Sequence, residues 1–296
     1  MVGSPLVIAE KARNRLQAVL SSMREGGVEN PASRAAVTRL PRVSDVIITP
    51  CEVNELHGTG TLLLRMFPDP ASIISLRTSN FYEGVQAFGA AQLCLPLAQA
   101  SRPEIAAWLK WYLAGTKVRR VLSLPYLPAD AVVSIAVKEM FGVPLCTYIM
   151  DDKNVCAEGI SDALMEEMLA KSELRLVISP EMREAYEKKY RMKFWVMPPL
   201  VADEIIRRTP VHPPRDADRS RGVLLGNIWG QRWLEMVQDV FRESGLKVDW
   251  YCNQKNPNGL DFHREEMERN GLRLLDPIRE PDLPGVLSRY PYAVVP

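Results

Sequence analysis

Histidine is scarce in this 296-residue chain, with His57, His212 and His263 far apart in the sequence. That spacing predicts no metal site. The five cysteines, Cys51, Cys94, Cys146, Cys156 and Cys252, are odd in number and form no C-x-x-C, so neither a disulfide framework nor a zinc site is expected and a reducing cytoplasm fits best. Net charge is also nearly absent: 37 Lys and Arg against 36 Asp and Glu leave +1, without the field that draws a protein onto a nucleic-acid backbone. No apolar run reaches the roughly 18 residues of a membrane span, and the opening MVGSPLVIAEKARNR lacks the continuous apolar segment of a signal peptide. G-x-S-x-G and the Walker pattern G-x-x-x-x-G-K-[ST] are both missing, which removes serine-hydrolase and P-loop chemistry.

What is present is the profile of a soluble globular chain: 47% hydrophobic, 25% charged and 7% aromatic. Residues 5 to 25 space Leu6, Ala9, Ala12, Leu16, Val19, Leu20 and Met23 as one helical face, ended by Gly26 and Gly27. A tether follows, and together they make an N-terminal helical extension over 1–42. From Val43 short apolar runs alternate with helical segments, the signature of a parallel sheet with helices on its faces. Strands are expected at 45–49, 72–76, 120–124, 144–149, 175–179 and 194–197, with helices at 103–113, 128–141, 161–170 and 180–189. The Pro- and Arg-rich stretch 203–221 reads as a linker between a first domain over 43–202 and a second over 222–296. In the second, strands are expected at 222–225, 247–251, 272–275 and 292–295, and helices at 231–243, 261–269 and 281–289. With the sequence stopping inside the last of these strands, the second domain is expected to be incomplete.

Three segments could carry chemistry. After the first strand, His57-Gly58-Thr59-Gly60-Thr61 feeds a helix N-terminus, where backbone N–H groups and the helix dipole favour an anion. As a dinucleotide fingerprint it is incomplete, since Leu63 stands at the third glycine position and Arg77, not an acid, ends the next strand. At the end of a later strand lies Met150-Asp151-Asp152-Lys153. There one carboxylate could take a proton from an acceptor hydroxyl, while the plainer reading is a turn cap or a pair with Lys153. Trp108-Leu109-Lys110-Trp111-Tyr112, with Lys117, Arg119 and Arg120, could rest on an anionic membrane surface or bury its tryptophans against the sheet.

HGTG (57–60), YIMDD (148–152), ISPEM…Y…VMPPL (178–200) and VLLGNIWGQRW (223–233), in this order and with a proline-rich linker between two Rossmann-like halves, resemble the GT-B glycosyltransferases, in particular their large family-4-like branch. The resemblance covers residues 43–296. It implies transfer of a sugar from a nucleotide-sugar donor to a glycan or lipid acceptor hydroxyl, with no metal required and no cofactor beyond the donor. The partners would be the nucleotide-sugar and acceptor, not nucleic acid, and the setting cytoplasmic or peripheral at the inner membrane face.

In that family the glycine-rich turn faces the interdomain cleft, which carries over to His57, Gly58, Thr59, Gly60 and Thr61 as substrate-binding residues. Gly226 and Asn227 would approach the donor and Arg232 would neutralise a phosphate, leaving Asp151 and Asp152 as the candidate catalytic pair. Two departures stand out: many members have a His-Asp pair where this chain has Met150-Asp151-Asp152, and the family's E-x7-E donor region has no counterpart here. Three alternatives remain. The first is a truncated, non-catalytic glycan- or partner-binding protein. The second is a nucleotide-sugar epimerase, which would need acids and a histidine clustered in the cleft. The third is an NADP-linked oxidoreductase, with Arg77 beside Gly58 and Gly60 holding the 2′-phosphate.

Overall fold

The computed structural model describes residues 40–79, 88–95, 101–156, 159–199, 203, 220–227, 230–252 and 263–294. The helix expected over 5–25 and most of the 203–221 linker lie outside them. The fold is parallel α/β, with one seven-stranded and one four-stranded sheet. Contacts divide the chain into two compact units.

The first unit holds strands β1 (Val43–Ile48), β2 (Ile73–Arg77), β3 (Ala91–Cys94), β4 (Lys117–Ser123), β5 (Leu145–Ile149), β6 (Leu174–Val177) and β7 (Trp195–Val196). Their order is β3-β2-β1-β4-β5-β6-β7, all parallel. Apolar runs such as VSDVII and IISLR are buried along nearly their whole length because helices cover a parallel sheet on both faces. The helices are α2 (Arg102–Tyr112), α3 (Pro128–Phe141), α4 (Asp162–Ala170) and α5 (Pro180–Tyr190), following α1 (Gly58–Met66) in the chain. Proline near the start of α2, α3 and α5 presets φ where a missing N–H costs nothing. Gly142 ends α3 in the left-handed conformation.

Two departures from the sequence pattern have physical causes. β3 was not expected, since AQLC is four residues of an edge strand with little apolar contrast. β4 begins at Lys117 rather than 120 because a bulge sets Arg119 and Arg120 against the single Asp45 of β1. Arg119 donates to Asp45 at 2.8 Å and Arg120 at 3.0 Å, so one buried carboxylate collects both guanidinium groups.

The second unit includes Val53–Met66, hence α1, and the described residues after Leu200. Its strands are β8 (Gly222–Leu225), β9 (Val248–Tyr251), β10 (Leu272–Leu275) and β11 (Ala293–Val294), ordered β10-β9-β8-β11 and parallel. Helices α6 (Gln231–Ser244), α7 (Arg264–Arg269) and α8 (Leu283–Leu287) intervene. The helix expected over 281–289 is shortened to α8 and a preceding 3-10 turn, Glu280–Asp282. Leu234, Val237 and Phe241 of α6 pack with Leu224, Val248, Trp250, Met267, Leu272 and Leu274 to form this unit's core. Each such side chain stabilises by roughly 1.5–3 kcal/mol relative to exposure. At its amino edge the buried Asp249 is held by Arg221, Arg273 and the Tyr290 hydroxyl. Burial opposes the charge of Asp249, and these three partners outweigh it, lowering its pKa.

Candidate functional site

Both sheets share one topological feature. β1 lies between β2 and β4, and β8 between β9 and β11, so each sheet has a point where successive connections diverge. Open parallel sheets bind ligands beside the carboxyl ends of the strands at that point.

In the first unit this edge is filled by the chain's own polar groups. Arg77, at the end of β2, and Glu52, in the segment after β1, are fully buried and ion-paired at 3.0 Å, and Arg77 also donates to the carbonyls of Pro50 and Ser79. A guanidinium so enclosed does not present itself to a 2′-phosphate, which takes the anchor from the oxidoreductase alternative. Beside β4, the fully buried Asp130 of α3 accepts from the backbone N–H groups of Tyr126 and Leu127, at 2.9 and 2.8 Å, and from the Thr78 hydroxyl. Desolvation dominates over these donors and pushes Asp130 up to about 6. The N-terminus of α3 therefore already has its anion. Neither Asp130 nor its partner Thr78 was marked by the sequence, because the pair spans 52 positions and no motif announces it.

The same unit carries Asp151 and Asp152 immediately after β5, and their roles separate. Asp152 anchors the following turn: its carboxylate accepts from the N–H groups of Asn154 (3.0 Å), Val155 (2.9 Å) and Cys156, and from the Tyr186 hydroxyl (3.0 Å). Burial would raise its pKa, but these four donors prevail and bring it to about 2. A carboxylate so stabilised is a weak base. Asp151 is half-buried, and desolvation raises its pKa, offset in part by Lys153.

The remaining sequence-derived residues fall in the second unit. The His57 carbonyl accepts from Thr61 N–H at 2.9 Å, the first hydrogen bond of α1. His57, Thr59 and Gly60 are buried, Thr61 is half-buried and Gly58 exposed, with open space where a side chain would extend. Arg65, at the other end of α1, pairs with Glu280, whose N–H donates to the Glu55 carbonyl at 3.1 Å.

At the end of β8, Gly226 has φ +130°, a conformation that side-chain-bearing residues rarely adopt. It is exposed, Asn227 is half-buried, and a side chain at Gly226 would meet open space. α6 then starts from Gly230 with no side-chain cap, and Arg232 lies exposed in its first turn.

Among the described helices of at least eight residues, α2, α3, α4 and α5 each carry an acid in the first turn, and α1 and α6 carry none. These two helices follow the first strand of each sheet, and both have glycines at their start. Neither first turn holds an acid of its own, and a helix N-terminus favours an anion.

Elsewhere, Trp111 is 65% exposed, with Lys110, Lys117, Arg119 and Arg120 also exposed, while Trp108 stacks on Tyr112 and is half-buried. Between α2 and α3 lies an open groove of about 500 Å³, lined mainly by Ala106, Ala107, Val132, Ile135, Ala136 and Met140. Among the described residues no three His, Cys, Asp or Glu side chains group in a way that could hold a metal ion, and no helix is long and apolar enough to cross a membrane.

No family model and no curated protein matches the sequence. Solved structures do match. MnaA of S. aureus, in a structure with UDP, aligns over 84% of this chain and 74% of its own at TM-score 0.52 and 9% identity. A UDP-N-acetylglucosamine 2-epimerase from Rickettsia bellii aligns over 80% and 69%, at 0.46 and 13% identity. An alpha-glucosyltransferase in complex with UDP-glucose and DNA containing an abasic site aligns over 85% and 72%, at 0.46 and 11% identity. At these identities the likeness to MnaA shows the fold, two Rossmann-like α/β units of the GT-B type, and the two lower scores add nothing to it.

Proposed function

We propose that this chain binds a nucleotide-sugar through its second unit and transfers the sugar to a glycan or lipid hydroxyl. The observation that carries the reading is the pair of helix starts with no acid in the first turn, α1, which follows His57 and opens on Gly58 and Gly60, and α6, which follows the Gly226–Asn227 turn. That UDP occupies the similarly folded MnaA supports a nucleoside diphosphate as the anion. Arg232 adds a permanent charge whose fork matches phosphate oxygens. As the bond to the sugar breaks, negative charge grows on the leaving diphosphate, and helix N–H groups and Arg232 stabilise it without a metal. Asp151, with its raised pKa, is the base for the acceptor hydroxyl, and Asp152 holds the turn that carries it. The fold serves epimerisation equally well in principle, so the reaction must be decided by products.

Exposed Trp111 and its neighbouring cations favour one further element, peripheral contact with an anionic membrane at the cytoplasmic face.

The test is to incubate the protein with a panel of UDP-sugars, with and without glycan and lipid acceptors, and to resolve products by mass. Acceptor-dependent release of UDP supports the transferase. Isomerised donor without release supports an epimerase, and tight UDP binding with neither supports a non-catalytic binding protein.

A further inference from the structure

Gly226 is tied to β9 from both sides of its backbone. Its N–H donates to the Tyr251 carbonyl at 3.2 Å, and its carbonyl accepts from the indole Nε1–H of Trp250 at 2.8 Å. Trp250 is fully buried, is paired with Leu224 of β8 in the sheet register, and meets the ring of Trp233 edge-on with centroids 5.4 Å apart. Trp233 belongs to the first turn of α6. One indole therefore touches both halves of the β8–α6 turn, the glycine that leaves the strand and the first turn of the helix.

The consequence follows from peptide geometry. No peptide bond is cis among the described residues, so the carbonyl of Gly226 and the N–H of Asn227 lie in one plane and point in opposite directions. Holding the carbonyl on the buried indole turns the Asn227 N–H away from the core. Gly226 has φ +130°, and among the described residues nothing comes within 4 Å of where a side chain on it would begin. An apolar residue of the same size could fill the core beneath β8 and β9, but only an N–H donor at this place fixes that peptide plane.

Resting on the reading that this turn receives the diphosphate, we infer that Trp250 is a positioning residue for the donor: its Nε1–H sets the orientation of the Gly226–Asn227 peptide, and its ring holds the first turn of α6 beside it. It touches no reacting atom. Its effect is transmitted by the backbone it holds and is specific to the phosphate end of the ligand.

Trp250→Phe keeps an aromatic ring and removes the donor. Titrated by calorimetry into the folded variant, UDP is expected to bind about tenfold more weakly than to the wild type, whereas uridine binds both alike. Equal loss for uridine and UDP, or unchanged UDP affinity, overturns the inference and leaves the functional reading standing. Failure of the wild type to bind UDP overturns both.

A wild-type measurement guards against a variant that does not fold. The indole N–H resonance of Trp250, assigned among the six tryptophans, should move on addition of UDP and stay in place with uridine. A Trp250 resonance unmoved at saturating UDP overturns the inference.

Discussion

The two sheets use the same strand order around their central strand, β2-β1-β4 in one and β9-β8-β11 in the other, yet finish their carboxyl edges in opposite ways. The first unit closes its edge with its own charges. Asp130 occupies the start of α3, and Glu52 neutralises Arg77 in full burial. The second leaves its edge unfinished: α6 begins at a glycine without a cap or an acid, next to a glycine in a conformation that few other residues tolerate. The same topology can therefore start its helices with an acid in the first turn, as at α3, or without one, as at α6.

Breaking the closed edge should disturb stability and spare the ligand. Glu52→Ala leaves Arg77 buried without its carboxylate, a change that typically costs about 3–5 kcal/mol. Urea denaturation should show that loss, while the folded fraction keeps wild-type UDP affinity. A matching fall in UDP affinity would mean that the first edge also belongs to the binding site.

The two adjacent carboxylates sharpen the contrast between chemical and architectural use. Asp151→Asn should lower turnover by at least a hundredfold with little change in melting temperature. Asp152→Asn should do the reverse, destabilising the 152–156 turn by about 1–2 kcal/mol through lost charge-assisted hydrogen bonds. Normal turnover in both variants would remove the base from this loop.

Asp130 makes the closed edge sensitive to pH. Its folded pKa, about 6, lies above the ordinary carboxylate value, so the folded protein holds this proton more tightly than the unfolded chain does. Its stabilising share is complete below the ordinary value near 4 and is lost as pH rises through about 6. Asp130→Asn keeps the shape without the ionisation. Its stability relative to wild type should therefore rise by about 2–3 kcal/mol between pH 4 and pH 7, read from paired thermal melts. A flat difference would show that Asp130 does not titrate in this window.

The smallest effects belong to the unfinished edge. Gly226→Ala, strained at φ +130°, and Arg232→Ala, in an exposed first turn, should each weaken UDP binding by about tenfold. Wild-type affinity in both would detach the turn from the donor.

Much of the scaffold is legible in the sequence because burial on both faces of a parallel sheet leaves short, continuous apolar runs. VSDVII, LCTYI and GVLL are visible as strands, and α3 runs over 128–141 as its pattern indicates. β3 is not legible, since an edge strand needs little apolar contrast. Among candidate site residues, the Gly226 turn can be read because a positive φ favours glycine, whereas Gly58 and Gly60, expected in a turn, lie in the first turn of α1. Other features depend on partners brought together only by the sheets. Asp130, on the helix after β4, meets Thr78, which follows β2 with β1 between the two strands, Trp250 meets Gly226 through the β8–β9 pair, and Arg77 meets Glu52 beneath the surface. The same applies to Asp151 and Asp152, identical in the sequence and separated only by which one the 154–156 backbone and Tyr186 engage.

The central claim is that the second unit is built to receive a diphosphate. It is tested most directly by titrating uridine, UMP and UDP into the wild-type protein under identical conditions. The account predicts affinity rising at each step, with the largest gain on adding the second phosphate. Equal affinity for uridine and UDP, or no binding of UDP, would contradict it.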